Sequence, residues 1–176
     1  MLFALVIVSL QMFALMKLKL SEEVNASESY DKSLPFLLKI LWTLTVFEIL
    51  LGTQMREGIE ALFRQFPGES DEFLMRTLGT LKYLHTGLGI ILVSMTAIVW
   101  NKVMLKSTPG VGVIMFTKAL VALFIFQIGM GELMVFGEFS PSFRLLHMWG
   151  ASISISVIMG LFMIVSKQGT LNDNIR

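Results

Sequence analysis

Residues 111–136 read VGVIMFTKALVALFIFQIGMGELMVF, a long apolar run whose only charged side chains are Lys118 and Glu132. A transmembrane helix needs about 20 consecutive, mainly apolar residues, and this stretch meets that requirement. Four further stretches of the chain have the same character: Met1–Lys17, Leu34–Gln54, Leu81–Trp100 and Leu145–Val165. The pattern predicts an all-α integral membrane protein with five transmembrane helices, of which the last four form a four-helix bundle.

The composition supports the membrane class and excludes several functions. The mean hydropathy is +0.74, with 55% hydrophobic and 15% charged residues, whereas soluble domains have roughly half apolar and about a quarter charged residues. The net charge of +1 and the absence of a basic patch interleaved with aromatic residues argue against a nucleic-acid partner. Because the chain has no cysteine, disulfides, thiolate nucleophiles, iron–sulfur clusters and thioether-linked heme are excluded.

The predicted spans divide the chain into a first helix over residues 1–20, a four-helix bundle over residues 34–166 and a polar tail over residues 167–176. Between the second and third spans, apolar residues recur at helical spacing over residues 59–66, and Pro67-Gly68 ends the pattern. This segment predicts a short helix lying on the membrane surface. The distribution of lysines and arginines predicts that both histidine-bearing ends face outward.

The chain has two histidines, His85 and His147, and each follows three residues after a basic residue, Lys82 and Arg144, at the start of an apolar run. One span separates the two runs, so their helices are parallel and both imidazoles lie near the same membrane face. A heme iron takes one neutral imidazole nitrogen from each side of the porphyrin. A lone histidine in a membrane more often bonds across a helix interface, but the matched pair favours heme.

Two carboxyl groups are expected in the same leaflet as the histidines. Glu48 lies about two helical turns before Arg56, and Glu132 lies near the end of the fourth span. Ionisable groups inside a membrane are candidate functional residues and require partners. Lys82 and Arg144 are the predicted partners, and a structural ion pair between helices is the alternative to a functional role.

Several segments, taken in order, resemble the C-terminal half of heme A synthases. Residues 51–60, LGTQMREGIE, are similar to the family's Gly-Thr-Gln-aliphatic-Arg-Glu segment. Tyr83-Leu84-His85 resembles the Tyr-Ile-His of the next helix, while residues 127–131, QIGMG, and residues 146–151, LHMWGA, resemble the last helix pair. The resemblance covers the second to the fifth span, and the ordered set is more specific than any single segment.

The resemblance implies a division of labour between two halves. Family members have eight transmembrane helices in two similar four-helix halves; the C-terminal half holds heme b on two histidines, and the N-terminal half binds heme O and carries the catalytic glutamate. By position, His85 and His147 are expected to be the axial ligands of the heme b iron. Lys82, Arg144 and Arg56 are expected to neutralise the heme propionates or to dock an electron donor.

The chain also departs from the family pattern. Residues 1–20 resemble the last helix of the N-terminal half, so the chain is expected to begin just past that helix's histidine. The first half, its catalytic glutamate motif and the outer-loop cysteine pair are missing, and Thr86 replaces the arginine that usually follows the first of the two histidines. Activity is therefore expected to require the other half, as a separate chain, in a longer parent protein or through self-association.

The expected function is that of the heme b-binding half of a heme A synthase-like oxidoreductase, taking part in the oxidation of heme O to heme A for cytochrome oxidase assembly. The expected partners are the lipid bilayer, heme O through the missing half, and cytochrome oxidase assembly factors. The expected location is a bacterial plasma membrane or the mitochondrial inner membrane. Two alternatives stay open: a membrane electron-transfer cytochrome b, which commonly needs four histidines for two hemes, and a heme-free assembly subunit.

Overall fold

The structure is a computed structural model that describes residues 30–31, 33–105, 109–136 and 140–173. Its helices are α1 (Ser33–Gln65), α2 (Asp71–Thr77), α3 (Thr80–Met104), α4 (Val111–Phe136) and α5 (Pro141–Asp173). Within those residues the regular structure is entirely helical. The predicted first span, residues 1–20, lies outside the described residues.

Four of these helices, α1, α3, α4 and α5, are long and apolar enough to cross a membrane. They coincide with the second to fifth predicted spans, so the all-α membrane class is confirmed for the described part of the chain. Large apolar side chains are exposed on their outer surfaces, for example Phe36, Ile125 and Trp149. Such exposure is expected where the solvent is lipid rather than water.

The prediction of a separate surface helix over residues 59–66 is wrong. These residues continue α1, which has 33 residues and a length of about 50 Å, against about 30 Å for the hydrocarbon core. The buried stripe that includes Leu34, Leu41 and Ile49 reaches Ile59, and no helix-breaking residue interrupts the helix before Pro67. The amphipathic pattern therefore marks the end of α1 that extends beyond the bilayer.

A short helix, α2, follows this extension and was not predicted from the sequence. The Ser70 side chain caps it by accepting a 3.3 Å hydrogen bond from the Phe73 N–H. The Phe73 ring packs edge-on against Phe66, with 5.5 Å between the ring centroids. Gly79, whose φ is +59°, then turns the chain into α3.

The four long helices form a ring in the order α1, α3, α4, α5, and α5 also packs against α1. Neighbouring helices are antiparallel, because residues near the end of one contact residues near the start of the next. Helices α3 and α5 therefore lie on one diagonal of the bundle and α1 and α4 on the other. The buried core between them is aliphatic and includes Leu38, Leu41, Leu92, Val99, Leu120, Ile158 and Leu161.

Four buried hydroxyl groups in the bundle are satisfied within their own helices. The side chains of Thr45, Thr96, Thr117 and Ser154 each donate to the backbone carbonyl four residues earlier, at 2.7 to 2.9 Å. Bonds of this kind remove the cost of an unpaired hydroxyl in a medium without water. The core therefore needs no water or polar partner at these positions.

The end of the bundle away from the histidines, called here the Asp31 end, is held by polar contacts. Asp31 and Lys102 form an ion pair, and the Tyr30 hydroxyl accepts a 2.9 Å hydrogen bond from the Gly110 N–H. The bond from Lys102, followed by the Ser33 backbone N–H, lowers the pKa of Asp31 to about 2. Asp31 therefore stays ionised at neutral pH and ties the start of α1 to α3.

Candidate functional site at the histidine end

His85 lies in the second turn of α3, and its ring packs against α1. Gly52 of α1 lies beside this ring, because an added Cβ there would lie 3.3 Å from the His85 Cε1 atom. The His85 Nδ1 atom is 3.1 Å from the Glu48 Oε1 atom, and the two side chains are only 23% and 16% exposed. The pair is close but not aligned as a hydrogen bond, so His85 Nδ1 is a buried atom without a hydrogen-bond partner.

His147 lies in the second turn of α5, and its ring faces α4. An added Cβ at Gly131 would lie 3.9 Å from the His147 Cε1 atom. The Gln127 Nε2 atom donates a 3.0 Å hydrogen bond to the His147 backbone carbonyl. The His147 Nδ1 atom and the Gln127 Oε1 atom are both buried without a hydrogen-bond partner.

The two histidine environments come from a repeated sequence pattern. Residues 47–52 read FEILLG and residues 126–131 read FQIGMG, while residues 82–85 read KYLH and residues 144–147 read RLLH. Each copy places a polar side chain and, one turn later, a glycine on one helix, and a histidine on the helix that packs against it. The α1–α3 and α4–α5 pairs are therefore similar units, with Glu48 in one matched by Gln127 in the other.

The repeat explains where the two imidazoles lie. Both are near the start of parallel helices, and therefore near the same end of the bundle, called here the histidine end. The two imidazoles belong to α3 and α5, which lie on one diagonal of the bundle. The glycines beside them belong to α1 and α4, which lie on the other diagonal. The roles of Gly52 and Gln127 were missed from the sequence, although this internal repeat is a signal that could have identified them.

Arginine side chains lie one turn farther toward the histidine end. The Glu60 Oε1 atom is 3.5 Å from the Arg56 Nε atom and 3.7 Å from the Arg144 Nη1 atom. The Arg56 Nη1 atom also lies 3.9 Å from the Met148 sulfur. One carboxylate is thus shared by two guanidinium groups and joins α1 to α5. Glu60 was not predicted as a site residue, although its position four residues after Arg56 favours such an ion pair.

The predicted partners of the membrane carboxyl groups are wrong. Glu48 contacts His85 rather than Lys82 or Arg144, because it lies deeper in the bundle, level with Gly89. Lys82 instead places its Nζ atom 4.8 Å from the centroid of the Tyr83 ring. Glu132 is exposed and belongs to no ion pair within the described residues, because the residue that faces the bundle is its neighbour Gly131.

The site does not suit a bare metal ion. Among the residues that the structure describes, no group of three or more His, Cys, Asp or Glu side chains could hold one. Two imidazoles can still bind a metal that brings its own equatorial ligands, as the iron of a porphyrin does.

No protein-family model matches this chain, and no curated protein or solved structure matches it either. The function is accordingly inferred from the chemistry of the site. That chemistry comprises an imidazole on each of α3 and α5, a glycine beside each imidazole, a carboxylate beside the His85 ring and a pair of arginines one turn farther out.

Proposed function

We propose that this chain is the heme b-binding half of a heme A synthase, and that His85 and His147 would hold the heme iron. The observation that carries the proposal is the repeated arrangement at the histidine end, where each imidazole of the chain lies on one diagonal of the bundle beside a glycine. When bound, heme b would supply one-electron redox chemistry. The protein would supply ligation, burial and charge.

The unpartnered polar atoms of the site fit this assignment. A ligating histidine binds iron through one ring nitrogen and donates the other N–H to a carboxylate, a carbonyl or water. Glu48 offers a carboxylate oxygen 3.1 Å from His85 Nδ1, and the Gln127 amide oxygen is buried and unpartnered. In a heme-loaded site the Nδ1–H of His85 would donate to Glu48, which would leave Nε2 of that ring to hold the iron.

The arginines fit the acidic groups of the porphyrin. Heme carries two propionates, and guanidinium groups bind carboxylates with good geometry. Because Arg56 and Arg144 share the single carboxylate of Glu60, they keep donors and net positive charge for further anions. Lys82 adds a third cation at the same end. We assign these three residues to propionate binding or to docking of an electron donor.

The glycine beside His85 provides a test of the site geometry. Gly52→Ala would place a Cβ 3.3 Å from the His85 ring, whereas Gly131→Ala would place one at an ordinary contact of 3.9 Å from the His147 ring. Overpacking of this kind costs roughly 1–3 kcal/mol, so Gly52→Ala is expected to weaken hemin binding about tenfold. Gly131→Ala is expected to change it little. Hemin titration of the detergent-solubilised chain measures both, and equal losses would contradict the geometry.

The function itself is tested by adding the N-terminal half. The chain, purified with its lipid and incubated with hemin, is expected to show a b-type α band in the reduced-minus-oxidised spectrum. With heme O and the N-terminal half of a heme A synthase, hydroxylated and then formylated heme is expected by mass spectrometry. A colourless preparation would favour a heme-free assembly subunit. Bound heme b without any product would favour an electron-transfer cytochrome. Either result would overturn the proposal.

The proposal also names partners and a location. The described helices require a lipid bilayer, and we assign the chain to a bacterial plasma membrane or the mitochondrial inner membrane. Heme O would bind through the N-terminal half, supplied by a separate chain, by a longer parent protein or by self-association of four-helix units. Assembly factors for cytochrome oxidase would then receive the product.

A further inference from the structure

A second candidate site lies far from the histidines, in an open cleft between α1 and α5 toward the Asp31 end. Its wall is apolar and includes Leu38, Trp42, Ile158, Met159 and Phe162, and Lys39 lies at its edge. Lys39 is about two helical turns, roughly 10 Å, from the start of α1. That position is close to the boundary between hydrocarbon and headgroups at this end of a spanning helix.

The Lys39 ammonium lies beside an aromatic ring rather than beside a carboxylate of the described residues. The Lys39 side chain is exposed, its Nζ atom lies 5.6 Å from the centroid of the Phe162 ring, and no carboxylate within the described residues pairs with it. The ring fixes the ammonium over the cleft and leaves its N–H donors available. The Trp42 Nε1 atom in the cleft wall is also buried without a hydrogen-bond partner. The cleft therefore combines a fixed cation with an apolar channel.

We propose that this cleft binds an acidic phospholipid, with the headgroup phosphate on Lys39 and one acyl chain lying between α1 and α5. An acyl chain fits the aliphatic and aromatic wall, and an anionic headgroup would pair with the Lys39 ammonium. A lone lysine favours a headgroup with net negative charge. A zwitterionic headgroup carries its own cation, which would lie near the Lys39 ammonium and repel it. The proposal does not depend on heme.

The chain offers a matched control for Lys39. Lys118 is also exposed, lies about two turns from the start of α4 and has no ion-pair partner within the described residues. It differs because it does not line this cleft. A general attraction of anionic lipid to surface lysines would affect both residues equally, whereas a built site would affect Lys39 alone.

Native mass spectrometry of the full chain in detergent tests the proposal. We expect one phosphatidylglycerol to remain bound at concentrations where phosphatidylcholine with the same acyl chains does not. Lys39→Gln should weaken retention about fivefold, the effect of one lysine near an anionic headgroup, and Lys118→Gln should leave it unchanged. Met159→Trp, which fills the cleft and keeps the cation, should also weaken retention.

Five results would overturn the proposal. Equal retention of the two lipids would show that charge is not selected, and equal losses in the two lysine variants would show a general surface effect. Binding of glycerol phosphate as tightly as the lipid would show a free-phosphate site. Formation of a dimer that retains no lipid would show that a second copy of the chain occupies the cleft. Lipid binding only after removal of residues 1–29 would show that the chain's own N-terminal segment occupies it.

Discussion

Replacing either histidine with alanine is expected to weaken hemin binding by about 100-fold or more and to convert any remaining heme from a six-coordinate to a five-coordinate, high-spin form. Removing even an outer-shell partner of a metal ligand typically costs 10- to 100-fold in affinity, and loss of the ligand itself should cost at least as much. Hemin titration and the ferric absorption spectrum of His85→Ala and His147→Ala measure both effects.

The control for this experiment lies next to His85. Thr86 is exposed, so Thr86→Ala should bind hemin like the unchanged chain. Helical circular dichroism and thermal unfolding of each variant identify a loss of folding, which is not expected because neither imidazole belongs to the aliphatic core. A His147→Ala variant that keeps a low-spin, six-coordinate heme would contradict the assignment. It would point to a thioether ligand such as the adjacent Met148.

The second large effect concerns the unequal acceptors near the two rings. Glu48 is an acid and Gln127 is an amide at equivalent positions of the repeat. A hydrogen bond to a carboxylate is about 1 kcal/mol stronger than one to a neutral acceptor, and it increases electron donation from imidazole to iron. Ferric iron is thereby stabilised. Glu48→Gln is therefore expected to raise the midpoint potential by about 50 mV, and Gln127→Glu to lower it by a similar amount.

Potentiometric titration of the hemin-loaded variants measures these shifts. Glu132→Gln is the matched control, because Glu132 is a carboxylate on α4 that is exposed and has no contact with either imidazole. If Glu132→Gln raises the potential as much as Glu48→Gln, the shift reflects general charge near the heme. Failure of all three variants to load hemin would instead count against the proposed function.

The membrane fold could be predicted from the sequence because a bilayer imposes a length and a polarity on each span. Helix α4 matches the predicted span Val111–Phe136. Helix α3 begins one residue before its predicted span and ends four residues after it, and α5 begins four residues before its predicted span and ends eight residues after it. The error in α1 arose because an amphipathic pattern shows that a helix exists but not whether it continues the preceding one. In the structure α1 continues through these residues because no proline occurs between Pro35 and Pro67.

The site was predictable only in part. The matched positions of His85 and His147 follow from the order of the spans, so sequence spacing places both at one end. The partner of Glu48 depends on how α1 is rotated against α3, and the bridge from Glu60 to Arg144 joins helices far apart in the chain. Rotation and register come from packing of the whole bundle, which no local pattern encodes. The internal repeat was the one sequence signal that could have identified Gln127.

Electron paramagnetic resonance of the ferric, hemin-loaded chain tests the central claim most directly. If one heme iron is held by His85 and His147, the spectrum should be that of a low-spin, bis-imidazole heme at one heme per chain. A high-spin spectrum, or one heme shared by two chains, would show that the two imidazoles of a single bundle do not bind the same iron.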